Sequence, residues 1–413
     1  MQCLKRIVII FIAVSGCAVG NGISLMDLAD RFGTPLIVYD LGRVEENYKV
    51  IRDNLGARVL YSIKANPNLA ILTFLRKLGS GADAASPGEI FLALKAGFEP
   101  GDILYTGAFR SLDDIKYGIE AGVLFNFDSR REFERALSVG YRPRTVFFRV
   151  DLGYGRGFAP GVVLAGEESK FGMFLEDAID AYRLAKSVSV EEFGIHAMMG
   201  SNVLDPDYFI RIAELLKEYA ETIEDRVGIK ITYFDMGGGF GIPYRPDEKP
   251  LDLNRLRILR DFFPGELWVE PGRFIVGNAG YLVTRVTEIK RKGSKTYVGV
   301  DVGMNVLIRP MLYGAYHHII TCNDGGEGEV VDVVGPICEN TDKLAVNREL
   351  PRVREGDILV ILNAGAYVYS MSSNYNGRPR PAEVVVYGNE YAVARFRESL
   401  ESLVAGQVVP DFI

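Results

Sequence analysis

Short apolar segments alternate with longer amphipathic ones between about residues 58 and 273, and this alternation restricts the fold more than any other feature. Each short segment ends in small, polar or charged residues, whereas the longer ones repeat apolar residues every three to four positions. Strands that alternate with helices are typical of a parallel sheet, and eight strands close a (β/α)8 barrel of the TIM type. The predicted strands are 59–65, 81–86, 102–107, 124–129, 145–150, 192–200, 231–239 and 266–272.

After Gly280 the pattern becomes β-rich, with turn residues between the segments. The predicted strands there are 280–290, 295–301, 328–338, 357–367 and 382–388. The fold class is therefore α/β plus all-β, a barrel followed by a mostly antiparallel β-barrel or sandwich domain. The predicted organisation is an N-terminal apolar segment at 1–22, the barrel domain at 23–280 and the β-domain at 281–413.

Composition excludes several classes of function. The 413 residues carry a net charge of -7 with no basic patch, which argues against nucleic-acid binding. Three scattered histidines, His196, His317 and His318, are too few to predict a histidine-based metal site. The four cysteines show no CxxC spacing, so we expect a reduced, cytoplasmic protein with no membrane partner.

The N-terminus leaves a second localisation open. Lys5 and Arg6 precede an apolar run at 7–14, which is too short to cross a bilayer but is shaped like a signal peptide. The residues that follow, 14–17, also resemble the site at which bacterial lipoproteins are cleaved and lipid-anchored. A mis-assigned start or a leading β-strand would account for the same run.

Lys64 ends the first predicted strand in the segment 60–66. A lysine within a barrel can lose its proton by desolvation and form a Schiff base with an aldehyde cofactor. On its own, a lysine at a strand end is more often one that extends its ammonium to solvent. The glycine run 237–241 follows the seventh strand, where barrels often bind phosphate through backbone N–H groups, although glycine runs also form simple tight turns.

Glu270 and Arg273 lie at the end of the eighth predicted strand. A carboxylate there can hold a proton on a pyridine nitrogen, and an arginine can bind a phosphate or carboxylate through paired hydrogen bonds. A structural ion pair is the alternative for these two. Cys338, in the segment 335–342, can donate a proton from its thiol, although a lone cysteine is most often a small buried apolar residue.

Arg309 and Tyr313 lie in the segment 304–313 and predict recognition of a carboxylate at the far end of a ligand. A surface arginine in the turn before Pro310 is the alternative. Tyr367 is either a ligand contact or an aromatic core residue of the β-domain.

Taken together, these motifs resemble those of the diaminopimelate decarboxylases, pyridoxal 5'-phosphate (PLP) enzymes of fold type III in the alanine racemase-like group. The similarity extends from 33–40 to 379–385. The resemblance implies catalytic roles for Lys64 and Cys338. The implied cofactor contacts are Lys64, Gly238, Gly239, Glu270, Arg273 and Tyr367. The implied substrate contacts are Arg273, Arg309, Tyr313, Glu339 and Tyr367.

The resemblance also implies an activity and an assembly. The activity is decarboxylation of meso-2,6-diaminopimelate to L-lysine and CO2, the last step of lysine biosynthesis. The assembly is a homodimer with shared active sites, in which Cys338 and Glu339 reach the cofactor of the other subunit. A decarboxylase of ornithine, lysine, arginine or a siderophore-type intermediate, a racemase, and a non-enzymatic PLP carrier remain alternatives.

One segment departs from the family pattern. The family usually has a histidine stacked on the cofactor ring, but at 196–202 that position falls on Met198. A thioether packs on an aromatic ring with about 1 kcal/mol but supplies no charge. We therefore expect an altered rate or substrate range.

Overall fold

The computed structural model describes residues 17–157, 159, 164–323 and 327–413. The apolar run at 7–14 lies outside them. The α-helices in these ranges are α1 Leu25–Phe32, α2 Leu41–Leu55, α3 Leu69–Lys77, α4 Pro87–Lys95, α5 Leu112–Ala121, α6 Arg130–Ser138, α7 Leu175–Ser187, α8 Pro206–Val227, α9 Arg273–Val276 and α10 Arg309–Tyr313.

The strands in the same ranges are β1 Ala18–Val19, β2 Ile23–Ser24, β3 Leu36–Asp40, β4 Arg58–Ser62, β5 Gly81–Ala84, β6 Ile103–Thr106, β7 Leu124–Phe127, β8 Thr145–Arg149, β9 Arg156–Gly157, β10 Glu192–His196, β11 Gly200–Ser201, β12 Ile231–Asp235, β13 Glu266–Val269, β14 Gly280–Lys292, β15 Lys295–Val300, β16 Ile319–Thr321, β17 Gly328–Val334, β18 Lys343–Pro351, β19 Ile358–Ile361, β20 Ala382–Tyr387 and β21 Glu390–Arg395.

The described chain divides into two compact units. The β-rich unit comprises 17–43, 244–246 and 277–413, and the barrel unit comprises 44–243 and 247–276. Each is described separately below.

The barrel unit is the predicted (β/α)8 barrel. Its strands run in the order β4, β5, β6, β7, β8, β10, β12, β13 and close by pairing β13 with β4. Neighbouring strands are parallel throughout. Each of the eight predicted segments contains one of these strands, so the prediction is confirmed.

Aromatic side chains fill part of the barrel interior. The ring of Phe147 lies 5.0 Å from that of Trp268 and 5.5 Å from that of Tyr233. Gly194 makes room for this cluster, because a Cβ atom there would come within 2.2 Å of the Phe147 ring. The packed interior holds the strand ends rigidly in place.

Local sequence signals explain where the barrel helices begin and end. α5 starts with a capping box, in which the Ser111 hydroxyl accepts from the Asp114 amide and the Asp114 carboxylate accepts from the Ser111 amide. It ends at Gly122, whose φ of 72° suits a residue without a Cβ. Asp205 caps α8 and Pro206 opens it.

The β-rich unit contains a nine-stranded sheet. Its main path is β18-β17-β15-β14-β3-β20-β21, with β19 pairing to β14 and β16 to β19. Most pairs are antiparallel, the exceptions being β15 with β17 and β3 with β20. This unit confirms the predicted separate β-domain.

One segment belongs to a different unit from the one expected. β3 pairs in register with β14 and β20, so residues 23–43 are part of the β-rich unit and not of the barrel domain that we assigned to 23–280. Backbone hydrogen bonds to strands about 240 and 340 residues away decide this placement, and no local pattern contains them.

A disulfide joins Cys17 to Cys322 across a separation of 305 residues. The expectation of a fully reduced protein is therefore wrong for these two cysteines, because their proximity is created by the fold and not by sequence spacing. Cys17 and Cys322 pack against the apolar cluster around α1, β3 and β20.

Within the part of the chain that the structure describes, no helix combines the length and apolar character required to cross a membrane.

Candidate active site

The carboxyl ends of the barrel strands gather charged and polar side chains at one face. Parallel strands of a barrel all end at the same face, so residues at those ends meet even when they are far apart in sequence. Lys64 follows β4 in a short 3-10 turn, and Glu270 follows β13. The side chains collected there are Lys64, Asp83, Arg149, His196, Asp235 and Glu270.

Lys64 pairs with Asp83, a residue that our sequence interpretation missed. Its Nζ atom lies 3.1 Å from Asp83 Oδ2, and the Ser62 hydroxyl donates to the same oxygen over 2.5 Å. Asp83 is 1% exposed, and burial together with the nearby Glu270 raises its pKa although Lys64 lowers it. The Lys64 side chain is 40% exposed, and a buried carboxylate is one of its neighbours. The desolvation expected for its amine stays a prediction.

Glu270 is a buried carboxylate in a cationic environment. Its Oε2 atom lies 3.2 Å from His196 Nε2, and the Thr106 hydroxyl donates to its Oε1 atom over 3.2 Å. Burial acts to raise the pKa of Glu270, but His196, Lys64 and Arg149 together outweigh it and lower the pKa to about 2. Glu270 therefore stays ionised at neutral pH.

Asp235 lies beside this carboxylate. The nitrogen and oxygen atoms of His196, Asp235 and Glu270 that could hold a cation all lie within 4.8 Å of one another. Burial, and then the charge of Glu270, raise the pKa of Asp235 well above its ordinary value. The two neighbouring carboxyl groups therefore have pKa values shifted in opposite directions, down for Glu270 and up for Asp235.

Arg149 supplies a buried cation to the same face. Its Nη2 atom donates to the Met198 carbonyl over 3.2 Å, and its guanidinium lies 4.5 Å from the centre of the Phe171 ring. Sequence analysis missed Arg149 and Asp235, although they are the last residues of the observed barrel strands β8 and β12. Looking for polar residues at strand ends would have found both.

The glycine run after β12 folds into a tight loop against its neighbours. Gly237 has a φ of 63° and Gly239 a φ of 89°, which favour glycine. A Cβ atom at Gly238 would lie 2.4 Å from the Glu270 carbonyl, so only glycine fits there. The Gly238 amide donates to the Met198 sulfur over 3.1 Å, and the thioether therefore packs directly on this loop.

Arg273 begins α9 and is buried, with its Nη2 atom 3.3 Å from the Ser201 hydroxyl. Ser201 belongs to the loop that follows β10 and that also carries Met198. The barrel unit thus brings together Lys64, Gly238, Gly239, Glu270 and Arg273, all of which were predicted from sequence.

The remaining predicted residues lie in the β-rich unit. Cys338 and Glu339 are exposed, so the alternative of a buried apolar cysteine is wrong. The Cys338 amide donates to Asn376 Oδ1 over 2.7 Å, and the Tyr375 hydroxyl donates to Glu339 Oε1 over 2.6 Å. Both side chains are thereby presented on a defined loop.

The buried carboxylate of Asp342 fixes that loop. Its oxygens accept from the amides of Met304 over 2.7 Å and Ile337 over 2.8 Å. Gly335 packs so closely that a Cβ atom there would lie 2.3 Å from the carboxylate. The exposed tip that carries the thiol is therefore anchored at its base.

Arg309 and Tyr313 open and close the short helix α10. Arg309 is only 2% exposed, so the alternative of a surface arginine is wrong. Its Nη1 atom donates to the Tyr244 hydroxyl over 3.0 Å and to His317 Nε2 over 2.8 Å. Tyr367 is half-buried and has a φ of 58°, a conformation that ordinary residues rarely adopt.

Comparison with known proteins defines the class to which this site belongs. Residues 41–277 match the family described as pyridoxal-dependent decarboxylase, pyridoxal binding domain. The chain belongs to this family of PLP-dependent decarboxylases, so it is an enzyme, a carboxy-lyase, and its cofactor is PLP.

Within the family the similarity is to one kind of enzyme. A diaminopimelate decarboxylase of Methanothermobacter thermautotrophicus is 42% identical over 408 residues, which cover 94% of this chain and 95% of that protein. The crystal structure of diaminopimelate decarboxylase from M. jannaschii has a TM-score of 0.88 at 34% identity, covering 95% of this chain and 96% of that one. That of the Helicobacter pylori enzyme complexed with L-lysine has a TM-score of 0.86 at 31% identity, with coverages of 92% and 98%. The predicted family is confirmed.

The side chains of the barrel unit fit PLP. The glycine loop after β12 packs so tightly that a Cβ would not fit at Gly238 or Gly239, and backbone N–H groups of such loops suit a phosphate. Among the described residues, His196 Nδ1, Asp83 Oδ1 and Asp235 Oδ2 are buried polar atoms with no hydrogen-bond partner. With an amine on Lys64 and an ionised Glu270, the face offers the chemical groups that an aldehyde, a phosphate and a pyridine nitrogen require.

Proposed function

We propose that the protein removes CO2 from meso-2,6-diaminopimelate and releases L-lysine, which is the last step of lysine biosynthesis. The observation that carries this substrate assignment is Arg309, a buried guanidinium oriented by two neighbours in a chain whose full-length relatives are diaminopimelate decarboxylases. Diaminopimelate has a carboxylate at its far end, whereas the diamine-forming substrates do not. A bidentate arginine therefore favours it over ornithine or lysine.

In this proposal the barrel unit would hold and activate the cofactor. Lys64, whose Nζ atom lies 3.1 Å from Asp83, would hold the cofactor aldehyde through its amine. Gly238 and Gly239 would hold the phosphate, and Glu270 would keep the pyridine nitrogen protonated. When bound, PLP supplies a sink for the electron pair that remains after CO2 departs. Met198, which contacts the glycine loop, takes the position where the family usually has a histidine.

Substrate binding and reprotonation are assigned to the remaining predicted residues. Arg273 and Arg309 bind carboxylates of the substrate, and Glu339 binds its distal ammonium. Tyr313 and Tyr367 make further contacts with the substrate. Tyr367 also contacts the cofactor phosphate. The Cys338 thiol donates a proton to Cα after CO2 has left. Its exposed position in one chain suits a residue that acts in the site of a second subunit.

A mixing experiment tests the shared site of the proposed homodimer. Lys64→Ala and Cys338→Ala are each expected to be inactive alone. If each site combines Lys64 of one subunit with Cys338 of the other, random exchange makes half of the dimers mixed, and one site in each is intact. Activity should therefore recover to about one quarter of wild type. No recovery under conditions in which sedimentation demonstrates exchange would contradict sharing.

The substrate is tested by measuring CO2 release from meso-diaminopimelate beside L-ornithine, L-lysine and L-arginine, using protein reconstituted with PLP. We expect turnover of diaminopimelate alone, with L-lysine as the product. Arg309→Gln should raise KM for diaminopimelate by about 100-fold, because a desolvated bidentate ion pair is lost. A preference for a substrate without a distal carboxylate would overturn the assignment.

For localisation we propose the cytoplasm, where PLP and amino-acid precursors are available. The Cys17–Cys322 disulfide is the observation that favours an oxidising compartment instead. Fractionation of cells that produce the full chain, with an antibody against the β-rich unit, distinguishes the two.

A further inference from the structure

His317 is a fully buried histidine for which the proposed chemistry has no role. It belongs to the β-rich unit, in the segment between α10 and β16. Its Nε2 atom lies 2.8 Å from Arg309 Nη1, and its Nδ1 atom lies 2.9 Å from the Leu362 carbonyl oxygen. The imidazole therefore connects the arginine to the end of β19.

These two contacts determine which nitrogen carries the proton. A carbonyl oxygen can only accept, so Nδ1 must be the donor to Leu362. A guanidinium can only donate, so Nε2 must offer Arg309 its lone pair. The neutral ring with its hydrogen on Nδ1 satisfies both partners, and no other state of the ring does.

The surroundings disfavour a second proton on this ring. Arg309 contacts it directly, and Arg348 donates to its backbone carbonyl over 2.8 Å. Arg348 and Arg245 lie 4.0 and 4.5 Å from the centre of the adjacent Tyr316 ring. Tyr244, which is uncharged, packs edge-on against the imidazole at 5.2 Å. The guanidinium in direct contact with Nε2 leaves no place for a hydrogen on that atom.

We infer that His317 is a positioning residue that orients the Arg309 guanidinium for the distal carboxylate of the substrate. This inference rests on the proposed role of Arg309. The Arg309 Nη1 atom donates to His317 and to the Tyr244 hydroxyl, and these contacts hold the plane of the guanidinium in a defined orientation. Loss of the His317 acceptor weakens that orientation, and small misplacements of this kind reduce binding strongly.

Two amide substitutions separate this role from a packing role. His317→Gln places an oxygen near the position of Nε2 and keeps an acceptor for Arg309. His317→Asn places its amide near Nδ1. It therefore keeps the donor to the Leu362 carbonyl but provides no hydrogen-bond acceptor for Arg309. We expect His317→Asn to raise KM for meso-diaminopimelate by about 10- to 100-fold with kcat changed less than about threefold. His317→Gln should stay within about fivefold of wild-type KM.

Product inhibition gives an equilibrium readout of the same contact. Decarboxylation removes the carboxylate at the reacting centre and leaves the distal one on L-lysine. The inhibition constant of L-lysine should therefore rise in His317→Asn by the same factor as KM. His318→Phe is the matched control, because its ring contacts Tyr316 and should leave both constants unchanged.

Each outcome decides between the alternatives. Melting temperatures and the visible absorbance of bound PLP establish that each variant folds and holds its cofactor. If wild type fails to use diaminopimelate, or Arg309→Gln leaves its KM unchanged, the proposed function is wrong. If both behave as proposed but His317→Asn and His317→Gln have the same KM, or KM follows melting temperature instead of acceptor position, the inference about His317 alone is wrong.

Discussion

The barrel face and the loop at 335–342 carry reactive groups in opposite ways. On the barrel face, Glu270 and Asp83 are nearly inaccessible, and each lies close to a basic side chain, His196 for Glu270 and Lys64 for Asp83. On the loop, Cys338 and Glu339 are exposed. The loop backbone, however, is anchored by buried Asp342.

The difference shows two ways to preorganise a site. Strand ends of a packed barrel fix charged groups relative to each other, so their protonation states are set within one chain. The loop instead fixes only its own shape and leaves its side chains open to a second surface. Buried charges need partners, whereas an exposed thiol needs only a defined position.

Of the substitutions in these two regions, replacing Lys64 should have the largest effect on turnover. Lys64→Ala removes the amine that binds the cofactor aldehyde, and turnover should fall by about 10³-fold or more. The visible absorbance of the cofactor bound to lysine should disappear, as absorbance spectroscopy can measure. Lys116→Ala, an exposed lysine paired with Asp113, is the control. Retained turnover would show that the barrel face does not hold the reactive amine.

Replacing Cys338 tests the loop independently of the barrel face. Cys338→Ala should lower kcat by about 10²- to 10³-fold, because general-acid donation to Cα is lost. The cofactor spectrum should not change, because Cys338 is not assigned to cofactor binding. Thr341→Ala, in the same exposed loop, should behave as wild type. If Cys338→Ala lost bound cofactor and activity to the same extent, the loop and the barrel face would not have separate roles.

Replacing Glu270 tests whether the barrel face depends on one ionised carboxylate. Glu270→Gln should lower kcat by about 10- to 100-fold, because the pyridine nitrogen loses its anionic partner. Glu266→Gln, at the exposed opposite end of β13, is the control and should leave kcat unchanged.

The same variant has a predicted acid dependence. Because the pKa of Glu270 is lowered from 4.5 to about 2, its ionised form stabilises the fold above about pH 4.5. That contribution is lost as pH falls from 4.5 towards 2. The difference in melting temperature between wild type and Glu270→Gln should thus shrink over that range. A difference that grows on acidification would contradict an ionised Glu270.

The smallest expected effect on activity comes from the disulfide in the β-rich unit. Reduction of Cys17–Cys322 should lower the free energy of unfolding by about 2–4 kcal/mol, because a link across 305 residues restricts the unfolded chain. Melting temperature should fall by roughly 2–5 °C, with little change in kcat. The Cys17→Ala, Cys322→Ala double variant should show no response to reductant. If reductant lowered the melting temperature of that variant as much as that of wild type, the effect would not come from the Cys17–Cys322 disulfide.

Much of the architecture could be predicted because its signals are local. The eight barrel strands were found from apolar runs and from the polar residues that end them. The strand β3 was not predicted, and its residues were assigned to the barrel domain, since its pairing with β14 and β20 depends on distant backbone. The strands β16, β18 and β21 were also missed; β16 has only three residues and β21 has no buried residue.

The candidate site was only partly predictable, for a related reason. Lys64, Glu270 and Cys338 lie in motifs that could be recognised by their resemblance to those of the family. Asp83 and Arg149 carry no motif and become site residues only because neighbouring strands align them. Proximity across a barrel is a property of the closed sheet and is absent from any single segment.

The sequence by itself determined the barrel, the separate β-domain and the chemical groups available for catalysis, because periodicity and residue type are encoded locally. Only the tertiary structure decided the opposite pKa shifts of Glu270 and Asp235, the burial of Arg309 beside His317, and the Cys17–Cys322 link. Each of these depends on distances between residues remote in sequence, and such distances exist only once the chain has folded.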